Sequence, residues 1–261
     1  MISAEPRKNP NVRWATDADL VGIRTWLEAE EQAKPDSTFL CNWASTERWH
    51  KDGRLLVHVD PATQATWGYQ WGGLVESGIL EVRREKRGRG IGKALVEHCL
   101  ALAVEANEPI LEVHCQPPTS LVFWERMGFV QRIYEYDAET AHYDRDVVAY
   151  RVMPLSLKAP AGGEPVQVTF EWFPEKRKWD NGTPAQLTRV VQAVRLGDEV
   201  HLPERVLCYA DLIGRDLVVR VLVGGQEWYC DKARYAEAAA LGVQRCFNGF
   251  FVDKLRQPGL L

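Results

Sequence analysis

Long apolar runs are missing from this 261-residue chain, and none approaches a membrane span. The opening residues, Met1 to Pro10, are polar and no apolar stretch follows them, so nothing there resembles a secretory leader. Cysteine is sparse and unpaired in pattern. Cys41, Cys99, Cys115, Cys208, Cys230 and Cys246 form no Cys-x-x-Cys pair, and no His/Cys spacing is of the zinc type. They read as reduced packing residues of a cytoplasmic protein, with no metal expected. A dominant charge is also absent: the formal net charge of −4 argues against a general affinity for nucleic acid. That slight acidity suits a cationic amine better than a polyanion. The remaining composition, 46% hydrophobic and 26% charged, is that of a globular protein. The length admits one large domain or two smaller ones.

The most informative segment runs from Leu80 to Leu95. An apolar strand, Leu80-Glu81-Val82, enters a loop of basic residues and glycines, Arg83 to Gly92, that opens straight into a helix. The first amides of a helix have no internal partner, and the macrodipole adds partial positive charge there. Glycines let a ligand approach the backbone, so the turn suits a phosphorylated ligand, a pyrophosphate above all. A Walker loop is excluded because Ala94 follows Lys93 where a hydroxyl is required. A dinucleotide fingerprint is excluded because Leu95 stands where its third glycine belongs.

The pattern Arg87-x-x-Gly90-x-Gly92 after a valine-ending strand resembles the pyrophosphate grip of GNAT-superfamily acyltransferases. A second block agrees. Leu111-Glu112-Val113-His114-Cys115, followed by Phe123-Trp124-Glu125-Arg126-Met127-Gly128-Phe129, is similar to that family's fifth strand and "FYExxGF" helix. The resemblance covers about residues 12 to 157. It implies an α+β GNAT fold: a mixed, mostly antiparallel twisted sheet flanked by helices, with a splayed parallel strand pair. It also implies acetyl-CoA as co-substrate and direct acetyl transfer to a primary amine. The pantetheine arm would pair with backbone near Leu80 and Val82. The loop Arg87, Gly88, Arg89, Gly90, Ile91, Gly92 and Lys93 would wrap the pyrophosphate, and an amide near Val82 would stabilise the oxyanion.

A lysine-like amine has a pKa near 10.4, so holding it neutral at pH 7 costs roughly 4–5 kcal/mol. The leaving thiol, with a pKa near 8.5, departs with little help. A base therefore matters more than an acid. Glu76 is the first choice, since several family members carry their glutamate at that distance before the loop. By strand period it shares a face with Leu80 and Val82, while Glu81 points the other way and is the second choice. Two departures from the family stand out. Trp124 replaces the tyrosine that usually protonates the thiolate, and indole is no acid. Either the thiolate leaves unassisted or Tyr134 or Cys115 serves. Pro117 replaces a cofactor-contacting asparagine, for which Gln116 or Ser120 substitutes. The alternative function is a non-catalytic acyl-CoA sensor acting through the C-terminal half. Family members often pair through sheet edges, which makes a homodimer the assembly to test.

Elsewhere, Val12 to Trp14, Leu55 to Val59, Ala65 to Gln70, Gly73 to Val82, Pro109 to Cys115, Arg132 to Tyr136 and Val147 to Met153 read as strands. Thr16 caps a helix with Leu20, Ile23 and Leu27 inward. A short helix falls within Pro35 to Gly53, with Trp43 and Trp49 as packing residues or acceptor-pocket walls. The helix after Gly90 carries a stripe of Ile91, Leu95, Cys99 and Leu102. The expected organisation is an acyltransferase domain over 1–157, a linker over 158–165 and a small α+β domain of unknown role over 166–261. In the last, Val166 to Phe173 is a strand, and a helix opens at Thr183-Pro184, with Leu187, Val190, Val191 and Val194 inward and Gly197 as its stop. A hairpin turns at Gly224-Gly225, a helix runs from about Lys232 to Leu241, and Phe247 to Leu255 closes the chain as a strand. Lys176-Arg177-Lys178-Trp179 reads as a solvated turn. Nucleic-acid and membrane partners are not expected.

Overall fold

The computed structural model describes residues 8–35, 37–71, 78–131, 147–155, 162–174, 182–209, 216–246 and 249–259. Glu76, Tyr134, the linker residues 158–161 and the run Lys176 to Trp179 lie outside them, as do residues 132–136 of one expected strand. The described residues fall into two compact units, one of residues 8–131 with 147–151 and one of residues 152–259.

The first unit begins with β1 (Val12–Trp14) and α1 (Asp17–Ala33). Thr16 caps α1 as expected from the sequence, Asp19 completes a reciprocal box with it, and the extended Lys34 before Pro35 ends the helix. After α2 (Trp43–Lys51) come β2 (Leu55–Val59), β3 (Thr66–Trp71) and β4 (Ile79–Val82), which form the antiparallel order β1-β2-β3-β4. β2 is buried along its whole length, which explains its lack of alternation. Helix α3 (Ile91–Glu105) covers one face, and α1 and α2 pack a core of Ile23, Trp26, Leu27, Trp49, Tyr69 and Trp71 on the other. Trp49 stacks on Trp71, whose indole donates to the Thr46 hydroxyl at 3.1 Å, so this aromatic pair is core. Gly68 sets how closely α3 can approach: a Cβ there would lie 3.0 Å from the Glu81 carbonyl and 3.1 Å from Ile91. The expected α3 stripe is too narrow, since Ala94, Val96, His98 and Leu100 are also buried while Leu102 is only half-buried.

β5 (Ile110–His114), α4 (Leu121–Arg126), β6 (Val130–Gln131) and β7 (Val148–Val152) complete the unit. The strands form a separate sheet in the order β5-β7-β6. β4 and β5 therefore edge different sheets, and the gap between them is the splay that the resemblance implied.

The second unit is sheet-rich, and here the sequence reading needs correction. Its strands are β8 (Glu164–Pro174), β9 (Leu187–Leu196), β10 (Glu199–Tyr209), β11 (Leu217–Val223), β12 (Gln226–Lys232), β13 (Gln244–Cys246) and β14 (Gly249–Arg256), with α5 (Ala236–Leu241) before β13. They form one sheet in the order β12-β11-β8-β9-β10-β14-β13. Residues 187–196 are strand, not helix. Val191 and Ala193 are buried while Val190 and Gln192 are exposed, a period of two that β-branched residues favour. Gly197, expected to stop a helix, instead turns the β9–β10 hairpin with Asp198, since Leu196 pairs with Glu199. Gly-Asp is itself a hairpin signal. Glu164 and Pro165, assigned to the linker, begin β8 and pair with Arg195 and Val194. The Gly224-Gly225 hairpin forms as expected, both residues at positive φ. Val168, Phe170, Trp172, Val219 and Val221 lie at the centre of this unit's core.

Candidate active site

The loop after β4 is held by its own backbone. Arg83 N–H closes on the Trp67 carbonyl at 2.9 Å, and Arg84 N–H donates to the Glu30 carboxylate on α1 at 2.8 Å. Gly88 and Gly90 take φ of +76° and +80°, a region costly for any residue with a side chain. Gly90 is the N-cap of α3 and has no side chain to cap it, so the first amides of the helix stay open. Arg87 Nε donates to the Val82 carbonyl at 2.9 Å, folding its guanidinium back over the end of β4. Lys93 pairs with Glu97 one turn on, at 3.7 Å.

These residues border a cleft of about 1050 Å³. Leu80, Val82, Arg87, Gly88, Gly90, Ile91, Gly92 and Lys93 all line it, as the sequence reading grouped them; Arg89 is exposed and is not part of the lining. The opposite wall consists of Lys34 and Ser37 to Phe39, between α1 and α2, together with Phe123 and Arg126 on α4. Phe123 and Arg126 belong to the motif block read from the sequence, whereas Lys34 and Ser37 to Phe39 carry no motif and only the fold brings them within reach. Gly92 keeps the wall open toward Phe123, whose ring lies 3.5 Å from where a Cβ would sit. Lys34, Arg84, Lys86, Arg87, Lys93 and Arg126 line the cleft against one carboxylate, Glu81, which suits an anionic ligand.

The cleft continues into a chamber of about 210 Å³ between Gly78 to Leu80, at the start of β4, and Glu112 to His114 of β5. Phe39, Leu80, Gln116 and Phe123 border both spaces. Ser120 and Trp124 line the chamber, so these two predicted contacts meet the far end of the cleft. Trp124 is buried edge-on against Phe123 and Phe129, at 5.1 and 5.2 Å between ring centres. His114 and Cys115 differ in exposure as neighbouring strand residues do, the first half exposed and the second buried. Burial pushes the Cys115 thiol up, with Ser120 opposing.

Glu81 is the one predicted catalytic carboxylate among the described residues. It is 4% exposed and borders the cleft. Its Oε2 accepts from the Phe39 N–H at 3.1 Å and from the Tyr69 hydroxyl at 3.2 Å, while Arg87 lies 4.0 Å from Oε1. Burial raises its pKa, and the Phe39 and Tyr69 bonds and the Arg87 charge offset that only in part. Tyr69 itself is driven well above the ordinary phenol range by burial and by the Glu81 charge. Among the described residues no group of three His, Cys, Asp or Glu side chains could hold a metal, no helix is long and apolar enough to cross a membrane, and all six cysteines are free.

A strand, an open glycine-rich helix start and a basic cleft running to a gap between two sheets make up the candidate site. Residues 51–131 match the family model of the acetyltransferase (GNAT) domain, and the fold around them is the one the resemblance implied. The match does not extend into the second unit. Solved structures similar to the chain include a GNAT-family acetyltransferase from Staphylococcus aureus Mu50 (13% identity, 55% of this chain and 98% of that one, TM-score 0.42). Another is a phosphinothricin acetyltransferase from Sinorhizobium meliloti in complex with AcCoA (18% identity, 54% and 87%, TM-score 0.41). A third is a Mycobacterium tuberculosis protein in complex with CoA (17% identity, 55% and 99%, TM-score 0.40). No curated protein matches the chain.

Proposed function

We propose that the first unit transfers an acyl group, acetyl in the simplest case, from its coenzyme A thioester to a primary amine. A single observation carries this reading: the open amides of α3, flanked by Gly88 and Gly90, line a basic cleft that leads into the gap between β4 and β5. The residues present fit the donor. Diphosphate oxygens would sit on the amides between Gly88 and Lys93, with Arg87 and Lys93 supplying charge, and the pantetheine arm along Leu80 and Val82. When bound, the donor supplies an activated thioester carbonyl. The chain's own residues orient it, exclude water and take a proton from the amine.

Glu81, on the cleft beside the Phe39 that also borders the chamber, is the described residue suited to take that proton. Its raised pKa keeps it a stronger base than an exposed carboxylate, and the Phe39 and Tyr69 bonds fix its direction. Glu76 and Tyr134 remain the further candidates for base and acid. The acceptor is a small-molecule or peptide amine, in the cytoplasm, with neither membrane nor nucleic acid taking part.

Calorimetry with acetyl-CoA tests the reading: saturable heat is expected, and none at millimolar donor overturns it. Buried Trp124, where the family carries its acid, favours a second reading, a sensor that holds acyl-CoA without turnover. Thiol release over a panel of aminoglycosides, polyamines, amino acids and peptide N-termini separates the two. An enzyme frees thiol with some acceptor; a sensor binds the donor and frees none.

A further inference from the structure

Gln70 sits next to the end of β3, in register with Leu56 on one side and Leu80 on the other. Cross-strand partners share a face, so its amide lies in an aliphatic row. The residue is 2% exposed, yet neither Oε1 nor Nε2 has a hydrogen-bond partner among the described residues. An amide left this way is worse placed than a leucine of the same size, and such a group in a folded protein calls for a partner. Gln70 also borders the chamber between β4 and β5. A cavity of roughly 150 Å³ accepts benzene. The chamber's volume of about 210 Å³ therefore admits a thioester and several heavy atoms beyond its carbonyl.

Resting on the reading that the thioester end of the donor reaches this chamber, we infer that Gln70 is a specificity-determining residue for the acyl group. It selects a short acyl chain bearing a neutral hydroxyl over the hydrocarbon chain of equal length. A hydroxyl donates and accepts at once, which matches Oε1 and Nε2 together. A carboxylate matches less well, because Glu112, 7% exposed, lines the same chamber.

The test measures binding by the full-length protein, so no acceptor is needed. Dissociation constants are determined by calorimetry for CoA, acetyl-CoA, butyryl-CoA and 3-hydroxybutyryl-CoA, with wild type and Gln70→Leu. Wild type is expected to bind the hydroxyacyl thioester at least about tenfold tighter than butyryl-CoA. In Gln70→Leu the order reverses while affinity for CoA itself stays within about twofold. Removing an unpaired amide leaves the melting temperature equal or higher. Should Gln70→Leu fail to fold, Gln70→Met is expected to lose the same discrimination. Equal binding of the two four-carbon thioesters by wild type overturns the inference, as does a preference that the substitution leaves unchanged. A loss of affinity common to all four ligands in a folded variant also overturns it, by reducing Gln70 to a packing role. Absence of binding by every ligand, CoA included, sinks the parent reading and is distinguishable from the other failures.

Discussion

Asp19 accepts from the Arg13 guanidinium at 2.6 Å, from the Thr16 amide and hydroxyl at 2.8 and 2.6 Å, and from the Thr66 hydroxyl at 2.8 Å. Burial alone would raise its pKa, but these bonds outweigh burial and hold it at about 2, against an ordinary 3.8. A folded pKa below the unfolded one stabilises the protein above the unfolded value, and that stability is lost as pH falls from about 4 to about 2. The difference is worth about 2 kcal/mol. Asp19→Asn is therefore expected to lower stability by about that amount at pH 7, with the gap to wild type closing toward pH 2, as read from denaturant midpoints across pH. Glu81 has the opposite sign, its pKa raised, so the rate of acyl transfer should climb with pH through a value above the ordinary carboxylate range. Glu81→Gln is expected to remove that limb and slow single-turnover thiol release by about 10²–10⁴-fold. A change under about twofold would return the base to Glu76.

Two elements invite direct tests. The start of α3 depends on a left-handed Gly90, so Gly90→Ala should cost about 1 kcal/mol in stability and also weaken donor binding. Thermal unfolding and calorimetry on the same sample separate those effects. β9 tests how the second unit is built. A helix would turn Val190 and Val191 inward together, whereas the strand exposes Val190 by 56% and buries Val191 to 9%. Val190→Lys is expected to be nearly neutral, and Val191→Lys to cost about 3 kcal/mol or more, because its charge would be buried unpaired. Similar losses at both positions would speak against the strand register.

Each unit has a core of its own, one around Leu27, Tyr69 and Trp71 and one around Phe170, Trp172 and Val221. Ligand binding at the cleft should then raise the calorimetric transition that Asp19→Asn lowers, by about 2.7 kcal/mol at a hundredfold excess over Kd, and leave unmoved the transition that Val191→Lys lowers. A single transition shifted by all three would show the units unfolding together. What could be read from the chain alone was whatever local chemistry decides within a few residues. The Thr16–Asp19 box, the glycine-rich start of α3 and the Gly224-Gly225 hairpin each declare their backbone geometry through the residues that adopt it. Of these, the glycine-rich start of α3 lies within residues 51–131, which match the acetyltransferase family model. Tertiary structure decided what depends on distant partners. Leu187 to Leu196 satisfy helix and strand patterns about equally, and pairing with β8 and β10 settles the matter. The sequence offers Glu81 only as a second-choice base on the face away from Leu80 and Val82; its burial under Phe39, 42 positions away, and Tyr69 is decided by the fold. Gln70 is an unremarkable strand glutamine in sequence. Its burial without a partner beside the chamber arises because β3 lies between β2 and β4 where the chamber opens between β4 and β5, and no local pattern encodes that arrangement.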